Sequence, residues 1–467
     1  MKKTANYLVP NSVHKLFKKL RPSIINRLSR QVNKAARSGG LTYTDDHGKT
    51  AVITLTLRPR LLDTKSERFL WQVITTLDRS FRKVASLYFK ILSLYELFPF
   101  SDREQSWISI LRDHSYVPGQ LATRWDANTT FAHNDWKNAF SFFEVNGVGV
   151  GGMWYGPAAG KLALNIVVPE LRKLDPAFRP SLCQNMSFLL LDLINRQRKK
   201  INRTHGSIAL VMQKAEGSNF VEFERLAKLY QKEGFPSIVI EPTDLELKKG
   251  EIFAQGKKVD MIYRDTTLSE LCDLEERGYD LTAFREAFKR GQVISSLEGE
   301  FDHKSAFEMF TNPEYAKWFD QKERALFKRY VLWTRLLTER KTTGPNGKTV
   351  DLIRFTRKNQ NDLVLKPNRL YGGKGIIFGR ETSNKNWTNK IESALKEPGD
   401  WVIQKLGALR TKSFFSRMDK KVSEHEYYVV SGFFATQKGL GIVGRMSENK
   451  IVNVAQRGGL TPILLMK

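Results

Sequence analysis

The chain has 467 residues, 41% of them hydrophobic and 27% charged, a composition typical of a folded globular protein that excludes global disorder and fibrous repeats. Lys and Arg number 76 against 49 Asp and Glu, a formal net charge of +27, so we expect anionic partners: nucleic acid, nucleotides, phosphorylated or polycarboxylate substrates, or an acidic membrane surface. No apolar run is long enough to span a bilayer, so we expect no membrane span. The sequence has only two cysteines, Cys183 and Cys272, which favours a reducing, cytoplasmic compartment.

The first 40 residues form a basic segment with ten Lys or Arg and no Asp or Glu. Apolar residues recur between the cations, which predicts an amphipathic helix that is interrupted near Pro22. A continuous apolar stretch of the kind found in secretory signals is lacking. The segment is compatible with a solvated basic helix, an arm that contacts an acidic partner, or an organellar transit peptide.

Hydrophobic periodicity predicts the next elements in chain order. Alternation over Thr50–Leu57 indicates a half-buried strand, and apolar residues three or four apart over Glu67–Phe98 indicate a long helix ended by Pro99. A strand at Ala139–Val145 leads into the glycine-rich run Gly147–Gly156, and Met186–Ile201 reads as a helix. We interpret the long helix as a core-packing element.

A change of pattern after Gly206 predicts a parallel βαβ unit. Short apolar strands are expected at Ser207–Met212, Ser237–Ile240 and Lys257–Tyr263, with a helix over Phe223–Lys232. This spacing favours a compact Rossmann-like segment. Helices follow to about Leu337, and then strands at Leu363–Lys366, Trp401–Gln404 and Tyr427–Phe433.

The stretch LVLKPNRLYGGKGIIFG, residues 363–379, predicts a phosphate-binding hairpin. A buried strand delivers Lys366, and the loop of Gly372, Gly373, Lys374 and Gly375 can point backbone N–H groups at phosphate oxygens. The spacing is neither GxxxxGK[ST] nor GxGxxG. An ordinary glycine turn beside a solvated lysine is the alternative. The strand that ends at Gln404 and Lys405 can offer backbone groups to an adenine edge.

Two short polar motifs upstream predict a magnesium site. Residues two apart on a strand share a face, so Arg124 and Asp126 point together, as do Glu144 and Asn146. Two carboxylates and an amide oxygen suit Mg²⁺, which prefers few protein ligands together with phosphate oxygens and water. Polar residues on a solvated strand face are the alternative.

The order of these motifs resembles that of the circularly permuted ATP-grasp ligases, the group of glutathionylspermidine synthetase-like enzymes and eukaryotic-type glutathione synthetases. Further similar stretches are VDMIYRD at 259–265, GQVISSLEGEFDHKSAFEMF at 291–310 and KIVNVAQRGG at 450–459. The resemblance spans roughly residues 120 to 465. It implies an α+β fold, and we divide the chain into a basic helical region (1–100), the metal-binding part of the ATP-grasp sheet (101–204), a Rossmann-like segment (205–275) and the ATP-binding part (276–467).

The resemblance also implies residue roles. Asp126, Glu144 and Asn146 would hold Mg²⁺, and Lys304 and Lys366 would bind ATP phosphates. The loop at Gly372–Gly375 would cover the triphosphate, and Gln404, Lys405 and Leu406 would meet adenine. Arg124 would neutralise an acyl phosphate. Arg445 is a second catalytic candidate, in a late region with Asn453, Arg457 and Gly458.

The activity that the resemblance implies is an ATP- and Mg²⁺-dependent ligation of a carboxylate to an amine through an acyl phosphate. The basic charge favours an anionic carboxylate substrate, such as a peptide, a polyglutamate-like acid or a group on an acidic carrier. A phosphoryl transferase, a ligase that has lost activity and a basic nucleic-acid-binding protein are the alternatives. The sequence does not indicate an oligomeric state.

Overall fold

A computed structural model describes residues 9–44, 50–128, 131, 136–214, 220–408, 410–418, 421–452 and 458–466. Its helices are α1 (Val9–Lys18), α2 (Pro22–Ser38), α3 (Thr64–Tyr88), α4 (Leu94–Leu97), α5 (Asp102–Ile108), α6 (Trp136–Ala139), α7 (Tyr155–Leu162), α8 (Val168–Leu174), α9 (Met186–Lys200), α10 (Phe220–Lys232), α11 (Leu268–Glu276), α12 (Thr282–Lys289), α13 (Ala306–Thr311), α14 (Pro313–Ala316), α15 (Gln321–Tyr330), α16 (Leu352–Lys358) and α17 (Asn384–Leu395).

The strands are β1 (Thr42–Thr44), β2 (Thr50–Val52), β3 (Thr54–Leu55), β4 (Arg60–Asp63), β5 (Arg124–Asn128), β6 (Ser141–Asn146), β7 (Ser181–Leu182), β8 (Ser207–Val211), β9 (Ser237–Ile240), β10 (Leu245–Lys248), β11 (Glu251–Ala254), β12 (Lys257–Arg264), β13 (Val293–Ile294), β14 (Thr334–Leu336), β15 (Lys341–Thr343), β16 (Thr349–Asp351), β17 (Leu363–Pro367), β18 (Ile377–Phe378), β19 (Trp401–Lys405), β20 (Thr411–Met418), β21 (Lys421–Thr436), β22 (Gly439–Ser447), β23 (Gly459–Leu460) and β24 (Ile463–Met466). The mixture of helices and sheets confirms an α and β fold. The circular permutation stays a prediction.

Within residues 9–40, the basic N-terminal segment folds as two helices, α1 and α2. The predicted break is confirmed, because α2 begins at Pro22. Proline suits the first position of a helix, since an N–H at that position would have no hydrogen-bond acceptor within the helix. The apolar face is buried, with Val13, Phe17 and Leu28 each 1% exposed. Phe17 packs on Phe415 of β20 with ring centroids 5.5 Å apart. The helix pair therefore belongs to the folded core and presents its cations to solvent.

The predicted helix over 67–98 is wrong at its C-terminal end, since α3 stops at Tyr88. The chain then turns and forms the short helix α4, so that Phe98 and Phe100 fold back onto the Tyr88 ring at centroid distances of 6.2 and 5.8 Å. Aromatic packing, and not Pro99, ends α3. At the other end the Asp63 side chain accepts a hydrogen bond from the Ser66 N–H, a regular N-cap.

The βαβ pattern after Gly206 folds as a sheet with strand order β10-β11-β12-β8-β9, with β13 beside β12. The strands β8, β9, β12 and β13 pair in parallel, and α10 connects β8 to β9 as the spacing predicts. Every residue of β8 is buried, in keeping with a parallel strand that is covered on both faces. The resemblance to a Rossmann-like segment stays a prediction. The carboxyl end of β12 delivers Asp265.

Two further sheets meet beside this unit. One is mainly antiparallel, with order β3-β23-β22-β21-β5-β6 and with β20 beside β21. The other has order β14-β19-β17-β18 and contains the predicted hairpin, since β17 and β18 are antiparallel neighbours. The Leu332 N–H donates to the Phe142 carbonyl at 3.1 Å and joins the two sheets at β6.

The predicted strand over 50–57 is divided at Ile53. The strand β2 pairs with β1, whereas β3 pairs in parallel with β23. The Ile53 N–H donates to the Leu41 carbonyl at 2.9 Å, where the chain changes partners. Early and late parts of the chain meet again where β4 pairs in parallel with β24.

Buried side chains from all four predicted regions contribute to shared hydrophobic clusters. The regional boundaries therefore stay predictions. Within the described ranges, no helix is both long and apolar enough to cross a membrane.

Candidate active site

A cavity of about 440 Å³ lies where the two sheets meet the glycine-rich segment after β6. Most of the predicted site residues line it: Arg124, Glu144, Asn146, Lys366, Gly372, Gly373, Gln404, Lys405, Leu406 and Arg445. The structure thus brings the acidic motif near 145 and the cationic hairpin near 370 to one cavity. Four predicted residues do not line the cavity: Asp126, Lys304, Lys374 and Gly375. Asn453 and Arg457 fall outside the described residues.

The two upstream motifs lie side by side on adjacent strands. In the antiparallel pair β5–β6, Arg124 is opposite Asn146 and Asp126 is opposite Glu144. Residues directly opposite one another on antiparallel strands point to the same face. All four side chains therefore share one face of the sheet. The spacing within each motif predicts a shared face for the two residues of that motif, but it does not predict that both motifs use the same face.

Asp126 is fully buried and contacts the Arg124 and Asn146 side chains of this group. Arg124 donates from Nε to Asp126 Oδ1 at 2.9 Å and from Nη2 to Oδ2 at 3.0 Å. Arg445, on β22, approaches Oδ2 at 2.6 Å. Burial raises the pKa of Asp126, but Arg124 and Arg445 outweigh it and the net pKa is lowered. Both carboxylate oxygens are thus engaged by arginines, and the assignment of Asp126 to metal binding stays a prediction.

Glu144 and Asn146 present oxygen atoms at the cavity wall. Glu144 is 20% exposed as a side chain, and its Oε1 lies 3.1 Å from Lys304 Nζ. The Asn146 amide donates from Nδ2 to Asp126 Oδ2 and to the Arg124 carbonyl, each at 3.2 Å. The amide nitrogen of Asn146 is therefore used in hydrogen bonds within the cavity wall, and Oδ1 is the atom that remains for a ligand. Among the described residues, no group of three or more His, Cys, Asp or Glu has the arrangement of a metal site.

Lys366 is held at the cavity by β17 with almost no solvent contact. Its Nζ donates to Gln404 Oε1 at 2.7 Å and lies 5.1 Å from the centre of the Phe143 ring. Burial lowers the pKa of Lys366 to about 8, with the negative Glu144 opposing this and the positive Lys304 adding to it. A desolvated cation of this kind is poised to gain from an anionic ligand.

The hairpin loop adopts the backbone that its glycines were expected to allow. Gly372, Gly373 and Gly375 have φ values of 70°, 75° and 72°. A Cβ on Gly373 would collide with the Ile451 side chain, so the loop lies directly under the segment after β22. Lys374 is exposed.

A hydrogen-bonded chain links this hairpin to the other half of the site. Tyr371 Oη donates to Asp302 Oδ1 at 2.9 Å, and Asp302 Oδ2 accepts from the Gly147 N–H at 2.7 Å. Lys304 Nζ donates to the Leu370 carbonyl at 2.6 Å while it also contacts Glu144. Lys304 therefore bridges the hairpin and the predicted metal motif, although Lys304 itself does not line the cavity.

The predicted adenine contacts lie at the end of β19. Gln404 is buried, and its Nε2 donates to Thr334 Oγ1 at 2.9 Å and to the Phe143 carbonyl at 3.2 Å. The N–H groups of Lys405 and Leu406 donate to the carbonyls of Trp333 and Asp362. Because these donors are already used, Gln404 acts within this structure as the orienting partner of Lys366. Its contact with adenine, and that of its two neighbours, stays a prediction.

Sequence reasoning missed another part of the wall. Asp265, Thr267 and Glu270 line the cavity at the end of β12 and the start of α11, and Tyr43 of the N-terminal region lines it too. The signal for Asp265 was available, because ligands of parallel sheets bind at the carboxyl ends of the strands. Nothing in the local sequence marks Tyr43, which is placed by the Tyr155 hydroxyl donating to the Thr42 carbonyl at 3.2 Å.

Comparison with known proteins identifies the fold. A glutathione synthetase-like effector from Globodera pallida, in its apo form, superposes with a TM-score of 0.65 at 12% identity, over 96% of this chain and 98% of that one. The chain shares the fold of this effector. No protein-family model matches it, and no curated protein matches its sequence.

Two ATP-grasp proteins match about half of the chain. They are the ligase PsnB with a minimal precursor (TM-score 0.27, 12% identity, 54% of this chain and 91% of that one) and a RimK domain protein from Sphaerobacter thermophilus (TM-score 0.26, 12% identity, 53% and 91%). Their TM-scores are too low to show a shared fold.

Proposed function

We propose that this chain is an ATP- and Mg²⁺-dependent ligase that joins a carboxylate to an amine through an acyl phosphate. The observation that carries the proposal is the shared cavity of Lys366 and Glu144, which come from distant segments. A buried cation, a glycine hairpin and a carboxylate beside an amide oxygen are the groups that phosphoryl transfer from ATP requires. The shared fold with a glutathione synthetase-like protein agrees with this proposal.

The nucleotide would bind with its phosphates between the hairpin and Lys366. Positive φ values at Gly372 and Gly373 let the loop approach a phosphate without side-chain obstruction. The desolvated Lys366 ammonium has a neutral hydrogen-bond acceptor, Gln404, which phosphate oxygens would outcompete as charged acceptors. Lys304 would hold the hairpin against Glu144.

The donor set at the cavity fits magnesium. Glu144 offers a partly exposed carboxylate and Asn146 an uncommitted amide oxygen, and Mg²⁺ favours a few oxygen ligands supplemented by phosphate and water. When bound, the ion would supply charge neutralisation on the transferred phosphoryl group. Asp126, with both oxygens on arginines, would act chiefly by positioning Arg124 and Arg445.

The chemistry follows in two balanced steps. A substrate carboxylate oxygen attacks the γ-phosphorus, and the bond to the β-phosphate oxygen breaks, so that ADP leaves with the electron pair. The amine then attacks the acyl carbon, and the bond from that carbon to the phosphate oxygen breaks. Arg124 and Arg445, fixed by their shared carboxylate, would stabilise negative charge on the acyl phosphate and on the departing phosphate.

The cavity surface also supports an anionic carboxylate substrate. Arg410 and Lys450 line it together with Arg445 and Lys405. Among the described residues, a peptide carboxylate or a polyglutamate-like acid would find two lining cations beyond those assigned to the nucleotide and the acyl phosphate, Arg410 and Lys450, of which Lys450 is also paired with Glu381.

Nucleotide binding tests the proposal. We expect Mg²⁺-dependent binding of a non-hydrolysable ATP analogue by calorimetry, and loss of most of that affinity in Lys366→Met. The exposed Lys358, which precedes the same strand, gives the matched control Lys358→Met, which should bind as the wild type does. Wild-type protein that binds no nucleotide, or Lys366→Met that binds normally, contradicts the proposal. Acyl-phosphate formation is tested by hydroxamate production from hydroxylamine, with ATP and a panel of glutathione and short glutamate peptides.

A further inference from the structure

The wall formed by the end of β12 carries a carboxylate that the proposed mechanism has not used. Asp265 lines the cavity and lies against the glycine-rich segment after β6, where a Cβ on Gly149 would be 3.3 Å from Asp265 Oδ1. Gly149 has a φ of 62°, a conformation that suits glycine, and the close approach of the carboxylate is a second reason for glycine there.

Two other carboxylates lie near Asp265, and both have structural partners. Glu222 is buried on α10 and accepts from the N–H groups of Gly152 and Trp154, which hold the start of α7. Glu270 on α11 accepts from the Thr267 N–H and hydroxyl as a helix cap. The Asp265 carboxylate, in contrast, receives no hydrogen bond from any residue that the structure describes. It is the member of the three that is available to a ligand in the cavity.

The same glycine-rich segment also holds Arg124. Arg124 donates from Nη1 to the Gly151 carbonyl at 2.7 Å, two residues beyond Gly149. The segment therefore holds a cation and lies against a carboxylate, and both side chains line the cavity. An acyl phosphate bound by Arg124 and an amine bound by Asp265 would occupy the same cavity.

We propose that Asp265 is a catalytic residue of the second step, which binds the amine and accepts its proton. This inference rests on the proposed ligase function. As the nitrogen lone pair forms the C–N bond, the bond between the acyl carbon and the phosphate oxygen breaks and phosphate leaves with that electron pair. The attacking nitrogen, now positive, gives one N–H proton to an Asp265 oxygen, and Asp265 later releases the proton to water. The preferred substrate is a basic amine. It arrives as an ammonium ion, which the Asp265 carboxylate attracts, and it releases one proton to water to expose the lone pair before the attack.

The electrostatic surroundings support a base at this position. Burial raises the pKa of Asp265 to about 7, and the negative charges of Glu222 and Glu270 add to the increase. The negative charge of Asp265 in turn contributes to the raised pKa of Tyr155 on α7 and of Tyr263 on β12. A carboxylate with a pKa near neutrality is well matched to accept a proton at physiological pH.

The test compares two amines with one acyl phosphate. Hydroxylamine is weakly basic, so its tetrahedral adduct loses a proton to water readily, whereas ethylamine is strongly basic and needs a base at the site. With the panel peptide that gives most hydroxamate, we expect Asp265→Asn to lower the ratio of ethylamide to hydroxamate about 100-fold or more. When the rates are corrected for the fraction of ethylamine that is unprotonated, the wild-type kcat/KM for ethylamide should rise with pH through about 7, and this rise should be missing in the variant.

The matched control is Asp273→Asn. It makes the same change from a carboxylate to an uncharged amide, but at an exposed position on α11, and it should keep the wild-type ratio and pH profile. An equal loss of hydroxamate and ethylamide in Asp265→Asn, or an unchanged ratio, overturns the proposal for Asp265 while leaving the ligase function standing. Wild-type protein that forms no hydroxamate and binds no nucleotide overturns both.

Discussion

The buried Lys366 leads to a prediction about stability as well as binding. Lysine at this position is desolvated and carries a pKa of about 8 in place of 10.5. Below pH 8 the folded protein must keep this ammonium charged in a poor environment, which corresponds to about 3 kcal/mol relative to an exposed lysine. In Lys366→Met that cost disappears, while Gln404 Oε1 loses its donor at a cost of about 1 to 2 kcal/mol. The variant without nucleotide should therefore be more stable than the wild type by about 1 to 2 kcal/mol at pH 7.

The pH dependence gives the sharper measurement. Between pH 8 and 10.5 the unfolded chain holds a proton on Lys366 that the folded chain has released, so wild-type stability rises with pH through this window. The variant lacks this contribution. Urea denaturation of both proteins at pH 7 and pH 10 should show an advantage for Lys366→Met that shrinks or reverses at the higher pH. A variant that is less stable at pH 7, or a difference that is independent of pH, refutes the reasoning.

Two further substitutions test the proposed metal ligand and the glycine hairpin. Glu144→Gln should lose about 2 to 4 kcal/mol of transition-state stabilisation in the hydroxamate assay, because one preorganised charged group is removed; activity equal to wild type rejects Glu144 as a metal ligand. Gly373→Ala should weaken binding of the ATP analogue, because the new Cβ meets Ile451 in the loop over the cavity. Gly347→Ala is its control: Gly347 also has positive φ, at 81°, but a Cβ there meets nothing within 4 Å. If both glycine variants weaken binding calorimetrically to the same extent, the loop contact is not the cause.

Elements with strong local patterns were predictable from the sequence. The strands β8, β9 and β12 and the hairpin of β17 and β18 lie where the apolar runs and glycines indicate. The pairing of Arg124 with Asp126 on one face follows from the two-residue period of a strand. These predictions succeed because the information is contained within a few neighbouring residues.

Features that depend on distant segments were not predictable. The partner of Asp126 on β22, Arg445, is brought there by the antiparallel pairing of β21 with both β5 and β22. The end of α3 at Tyr88 depends on aromatic rings that follow it, so the apolar period alone overextends the helix. Tyr43 enters the cavity through contacts of its backbone neighbours. In each case, tertiary packing decides what local propensity leaves open.

The parallel pairing of β3 with β23 and of β4 with β24 has a consequence for how this protein is made. During synthesis, residues near 55 leave the ribosome long before the strands near 460 that they must join. The sheet that carries Arg124 and Arg445 can close only after the roughly 400 residues between β3 and β23 have emerged, and contacts of such wide separation form slowly. We expect β3 and β4 to remain unpaired in the nascent chain until β23 and β24 have been synthesised, and we expect chaperones to bind the chain during that time.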